Sequence, residues 1–130
     1  DYWFPSSQKA KLSYLYTQIS KIKEEKYKNF FLVSFSHILK NCSLWLQSST
    51  KPQVDKSKIP SDPFIAFKSQ CLKMMKRNAE FYSHLKERKF LRIKSEIKNG
   101  DSRNIKIKSN SVDIIITSPP YVTSYEYADL

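Results

Sequence analysis

The chain has 130 residues, room for one hydrophobic core of ordinary domain size. Its 23 Lys and Arg against 12 Asp and Glu leave a formal charge of +11, which favours polyanionic partners, nucleic acid before others. Hydrophobic residues at 40% and aromatic residues at 14% exclude an intrinsically disordered tail, and the single glycine, Gly100, excludes a P-loop, a dinucleotide fingerprint and any glycine-rich cofactor loop within this sequence.

The first predicted element is an amphipathic helix over residues 6–28, opened by a serine cap, with Leu12, Leu15, Tyr16, Ile19 and Ile22 at three- and four-residue intervals. A second helix, expected to be the most buried, follows over residues 29–46, where Phe31, Phe35, Ile38, Leu39, Cys42 and Trp45 fall on one side. Residues 47–63 carry Pro52, Pro60 and Pro63 among Ser, Thr and Lys, a composition that sustains neither period and reads as a long basic loop. A third helix is predicted over residues 62–89, with Pro63 in its first turn and an apolar side of Phe64, Phe67, Cys71, Met74, Phe81 and Leu85.

Beyond Lys89 the helical stripe stops. Phe90, Leu91, Ile93 and Ile97 alternate loosely with cations, which predicts a strand ending near Asn99-Gly100-Asp101. The β-branched run Val112-Asp113-Ile114-Ile115-Ile116 predicts a second strand, buried on both faces. Helices followed by two strands without a hairpin turn give an expected fold class of α/β. The implied layout is a mainly helical segment at 1–89 and a partial sheet segment at 90–130, with the remaining strands outside the chain.

Chemistry concentrates directly after that run, at Thr117-Ser118-Pro119-Pro120-Tyr121. Two consecutive prolines fix φ and remove two backbone donors while leaving their carbonyls free to accept, which makes a stiff acceptor loop. Ser118 adds a hydroxyl acceptor, and Tyr121 a flat ring suited to stacking on an unpaired base. Taken alone, a Pro-Pro-Tyr triplet is equally a structural turn or a partner-binding motif.

In this context Ser118-Pro119-Pro120-Tyr121 resembles the catalytic motif of amino-group DNA methyltransferases, which reads Asp/Asn/Ser-Pro-Pro-Tyr/Phe. Residues 111–117 resemble the strand before that motif, and residues 121–130 its continuation in bacterial and archaeal members. Tyr2-Trp3-Phe4-Pro5 and Ser48-Ser49-Thr50-Lys51-Pro52 resemble, more weakly, a helical insertion of some members. The resemblance implies a fragment of a Rossmann-like methyltransferase sheet preceded by that insertion. It implies methyl transfer from S-adenosylmethionine to an exocyclic amine of double-stranded DNA, in a restriction-modification setting. Ser118, Pro119, Pro120 and Tyr121 would be the catalytic set, with serine at 118 the form associated with cytosine N4 and adenine N6 the second choice. Asp101, in a Gly-Asp strand end, would contact the cofactor, whose glycine-rich motif is expected in cis outside the chain or in a partner chain. Carbon-5 methylation fails on the residues, since neither Cys42 nor Cys71 follows a proline.

Lys51, Lys56 and Lys58 in the basic loop either track DNA phosphates or form a solvated face, and Arg103 either meets phosphate or pairs with a local acid. Cys42 and Cys71 lack metal-ligand spacing, so no metal is expected and both read as buried free thiols. With no membrane span and no signal peptide in the pattern, the expected setting is cytoplasmic, and the chain reads as a piece of something larger. Two other readings stay open: a non-catalytic helical nucleic-acid-binding module and an RNA amino-group methyltransferase.

Overall fold

The computed structural model describes residues 2–49 and 51–118. The chain divides into two units, Asp1–Ile93 and Lys94–Leu130.

The first unit is built on three helices. In α1 (Ser6–Ser20) the buried residues Leu12, Leu15 and Ile19 hold the i, i+3, i+7 spacing of one helical face. Pro5, rather than a serine, occupies the position before the first helical residue. The helix stops eight residues short of the sequence pattern. Lys21 and Ile22 donate to the carbonyls of Gln18 and Ile19, a tightened last turn, and the charged residues that follow offer only Ile22 for burial. The chain reverses there, and α2 (Glu25–Ile38) starts four residues earlier than the pattern suggested, with Glu25 complementing the positive end of the helix dipole.

Ser34, midway along α2, is fully buried; its hydroxyl donates to the Phe30 carbonyl at 3.0 Å and lies 3.2 Å from the Met74 sulfur. A side chain this small brings α2 close to α3, which spans Pro63–Glu87. Pro63 fills the first helical position, as the sequence led us to expect, and Asp62 caps α3 by accepting from the Phe64 and Ile65 amides at 2.9 and 3.2 Å. Leu12, Leu15, Ile38 and Cys42 form the core, with Phe4, Phe35, Leu39, Ala66 and Phe67 packed around them. Each buried Leu or Ile contributes on the order of 2 kcal/mol.

α2 ends at Ile38 because the next residues turn inward, placing Cys42 at the centre of the core with its amide bonded to the Ile38 carbonyl. The basic loop that follows is tied rather than loose. Trp45 and Val54 form an antiparallel bridge, flanked by Leu46 N to Gln53 O and Asp55 N to Leu44 O, both at 2.7 Å. Trp3 stacks at a tilt on Trp45, ring centroids 5.7 Å apart, and the Trp3 carbonyl accepts from the Leu44 amide. After α3, Lys89 adopts a left-handed conformation (φ 60°) and sends the chain into a short 3-10 turn at Phe90–Arg92.

The second unit contains neither helix nor strand among its described residues, 94–118. The α/β expectation is therefore corrected: the described chain is helical, without a sheet, and is not a Rossmann-like fragment. A strand exists only through hydrogen bonds to a neighbour, and residues 90–99 find none, Phe90–Arg92 curling into the 3-10 turn instead. The Ile114, Ile115 and Ile116 side chains, expected to be buried on both faces, are 77, 82 and 92% exposed. β-branched composition sets a preference for extended backbone and leaves pairing and burial to the surroundings.

Candidate functional site

Ser118 ends the described part of the second unit, exposed at the close of the run from Val112. Pro119, Pro120 and Tyr121 lie outside the described residues, as do Tyr125, Glu126, Tyr127 and Asp129. Ser118 is the member of the quartet whose surroundings are described, and it is exposed.

Asp101 and Arg103 are brought together. The carboxylate accepts from the Arg103 amide at 2.9 Å and from Nε at 3.0 Å, while Nη2 reaches its second oxygen at 2.7 Å. The Arg103 side chain, then its amide, holds the Asp101 carboxyl below the usual carboxylate range. Asp101 thus meets its acid-base partner locally, and no hydrogen bond or ion pair joins it to Ser118.

The three loop lysines differ from one another. Lys51 and Lys56 are exposed. Lys58 turns inward, its ammonium donating to the carbonyls of Trp45 at 2.7 Å and Lys40 at 2.8 Å, with the Gln47 side-chain oxygen at 3.4 Å. Burial, followed by the nearby Lys40, pulls its ammonium below the ordinary lysine range. Lys58 pins the loop, which leaves Lys51 and Lys56 as the loop cations open to an outside phosphate.

Fit to S-adenosylmethionine is decided by what surrounds Gly100 and Asp101. A Cβ added at Gly100 meets nothing within 4 Å, so this glycine lines no tight cradle, and the Asp101 oxygens are already bonded to Arg103. The described residues do not build a site for that cofactor. Nor do they gather His, Cys, Asp and Glu into a metal-binding group, and no described helix is long and apolar enough to cross a membrane.

One surface was missed in sequence. On α3 the residues Arg77, Phe81 and His84, with Arg88 at its C-cap, follow i, i+4, i+7, i+11, a single exposed stripe. The same spacing was visible in the sequence, but Phe81 had been placed on the buried side. No protein-family model matches the chain, and neither a curated protein nor a solved structure matches it.

Proposed function

We propose that the chain carries the amine-handling loop of an amino-group DNA methyltransferase. The observation that supports this most is the quartet Ser118-Pro119-Pro120-Tyr121 behind a β-branched run in a chain of charge +11. The reading rests on the chemistry of the quartet and not on a sheet. An aromatic amine is a poor nucleophile because its lone pair is delocalised into the ring. Acceptors at the Ser118 hydroxyl and the Pro119 carbonyl bind its two hydrogens, favour a pyramidal nitrogen and aim the lone pair outward. With no amide hydrogen on either proline, the loop offers acceptors where the amine brings donors. Tyr121 stacks on the extruded base, offsetting part of the few kcal/mol that unstacking costs. The methyl donor of such a reaction is S-adenosylmethionine, which the described residues do not hold.

The deciding experiment is methyl transfer from labelled S-adenosylmethionine to duplex DNA by the full gene product, with the DNA digested to nucleosides. Label in N4-methylcytosine supports the reading in full, and label in N6-methyladenine supports it with the other base. Label in RNA alone, or none in any nucleic acid, overturns it. A second reading, a helical nucleic-acid-binding module without catalysis, draws support from the exposed cations of α3 and predicts binding without any transfer.

A further inference from the structure

α3 is longer than the bundle it belongs to. Its 25 residues extend about 37 Å, whereas the 14 residues of α2 extend about 21 Å. Its buried residues, Pro63 and Cys71, and its packing partners Phe67 and Met74 all lie in the first half. From Met75 to Ile93 every residue is exposed except the half-buried Leu85. A helix end with so little burial is held by its own hydrogen bonds and by the 3-10 turn at Phe90–Arg92 that folds back on it.

This free half carries a separated charge pattern. Glu80 lies 4.0 Å from the Lys76 ammonium and Glu87 lies 3.8 Å from the His84 ring, so neither acid of the arm sits against the remaining cations. Arg77, Lys86, Arg88, Lys89 and Arg92 have no acidic partner among the described residues. The negative end of the helix dipole favours cations in the last turn, and Arg77 lies well before it. Arg77 and Arg88 are eleven residues apart, close to three full turns, so they share one side of the helix at a separation of about 16 Å. Phe81 and His84 lie between them on that side. Around the left-handed turn at Lys89, the side chains of Lys86, Lys89, Leu91 and Arg92 line an open concavity of about 450 Å³.

We propose that the free half of α3 with its 3-10 turn is a docking arm for the phosphate backbone of duplex DNA. Charge complementarity selects the occupant: five unpaired cations on a projecting rod lower their mutual repulsion by displacing counterions from a polyanion. The spacing of Arg77 and Arg88 is enough to bridge a major groove about 12 Å wide, placing one guanidinium on each bank. Phe81, 60% exposed and on the same side as the two arginines, gives the arm apolar contact with the sugar and base edges between the banks. The inference rests on the nucleic-acid part of the proposed function and is independent of methyl transfer.

The test is titration of a labelled DNA duplex with the 130-residue chain across a salt series. One variant is Arg77→Gln, Lys86→Gln, Arg88→Gln, Lys89→Gln and Arg92→Gln. A charge-matched control is Lys21→Gln, Lys23→Gln, Lys26→Gln, Lys106→Gln and Lys108→Gln; all ten positions are exposed, and helical circular dichroism reports folding in each case. The arm variant is expected to bind on the order of hundredfold more weakly, with a salt slope shallower by about 4, while the control loses less than tenfold. Equal losses in arm variant and control overturn the inference, as does binding to vesicles of anionic lipid with none to DNA. Arm-dependent binding by a full gene product that transfers no methyl group overturns the proposed function and leaves the arm. Methyl transfer with an unchanged KM for DNA in the arm variant does the reverse.

Discussion

Lys11 on α1 reaches the carboxylate of Asp62, the residue that also caps α3. One side chain therefore fixes where α3 begins and which face of α1 it begins against. Removing it by Asp62→Ala is expected to lower the melting temperature by about 5 °C, since a lost cap costs a unit of this size around 4–8 °C per kcal/mol. Asp62→Asn keeps much of the cap and loses the ion pair, so its effect is smaller. The bond from Lys11, then the Ile65 amide, holds the Asp62 carboxyl below its ordinary range. The folded form thus favours the ionised carboxylate, and its stabilisation is complete above the unfolded value near 4 and is lost as pH falls through the lower folded value. Thermal melts between pH 7 and pH 2.5 check this: the wild-type chain loses a contribution that Asp62→Asn lacks. Parallel pH profiles for the two would refute it.

Lys58 has the opposite task, satisfying carbonyls inside a loop. Lys58→Met leaves the Lys40 and Trp45 oxygens without their charged donor and is expected to cost about 1–2 kcal/mol, the lower part of the range for charged hydrogen bonds because the group is partly exposed. The loop between Trp45 and Lys58 opens, which limited proteolysis detects as new cleavage there with the helices still intact. In DNA titrations Lys58→Met leaves the salt slope unchanged, whereas Lys51→Gln and Lys56→Gln each reduce it by about 1 if they meet phosphate. A reduced slope for Lys58→Met would return that residue to the phosphate-binding set.

Much of the helical unit is legible in its sequence because its cues are local. The Leu12, Leu15, Ile19 spacing and Pro63 at the start of α3 each act within a turn or two of helix. Helix ends were misplaced where pattern runs past packing: Ile22 and Trp45 continue a helical stripe, yet the chain turns before both. The strands expected at residues 90–99 and 111–117 failed for a different reason. Alternation and β-branching record a preference, and whether a partner lies alongside is not written in the segment itself. The same limit hid the α3 stripe, since Phe81 has core spacing and only the short reach of α2 leaves it bare. Asp101-Arg103 was half legible: pairing with a local acid was one of two options, and Arg103 is paired with Asp101.

Cys42 is fully buried and its thiol is pushed up to about 11, chiefly by burial and then by the charge of Asp62. Against its ordinary value of 9.0, two units higher, the thiolate population near pH 8 falls about hundredfold. In a Cys71→Ser chain, a disulfide reagent at pH 8 is therefore expected to react with Cys42 at least a hundredfold more slowly in the native state than after denaturation. Rapid native labelling would mean that the core around Ile38 and Leu12 opens far more often than its packing implies.

Ser118 and Tyr121 are expected to act at different stages of methyl transfer, on the reading proposed above. The substrate amine is planar when it binds and pyramidal when it attacks, so an acceptor at Ser118 engages the transition state better than the ground state. Ser118→Ala in the full gene product should then lower kcat by about 10²- to 10³-fold, the range for removing one preorganised polar partner of a reacting group, with little change in KM for DNA. Tyr121 holds the extruded base before any chemistry. Tyr121→Ala should therefore raise KM by about tenfold or more, with Tyr121→Phe close to wild type because stacking needs the ring and not the hydroxyl. Steady-state kinetics on duplex DNA separate the two effects. A wild-type kcat in Ser118→Ala would remove the serine from the reaction and leave the Pro119 carbonyl as the loop's remaining acceptor.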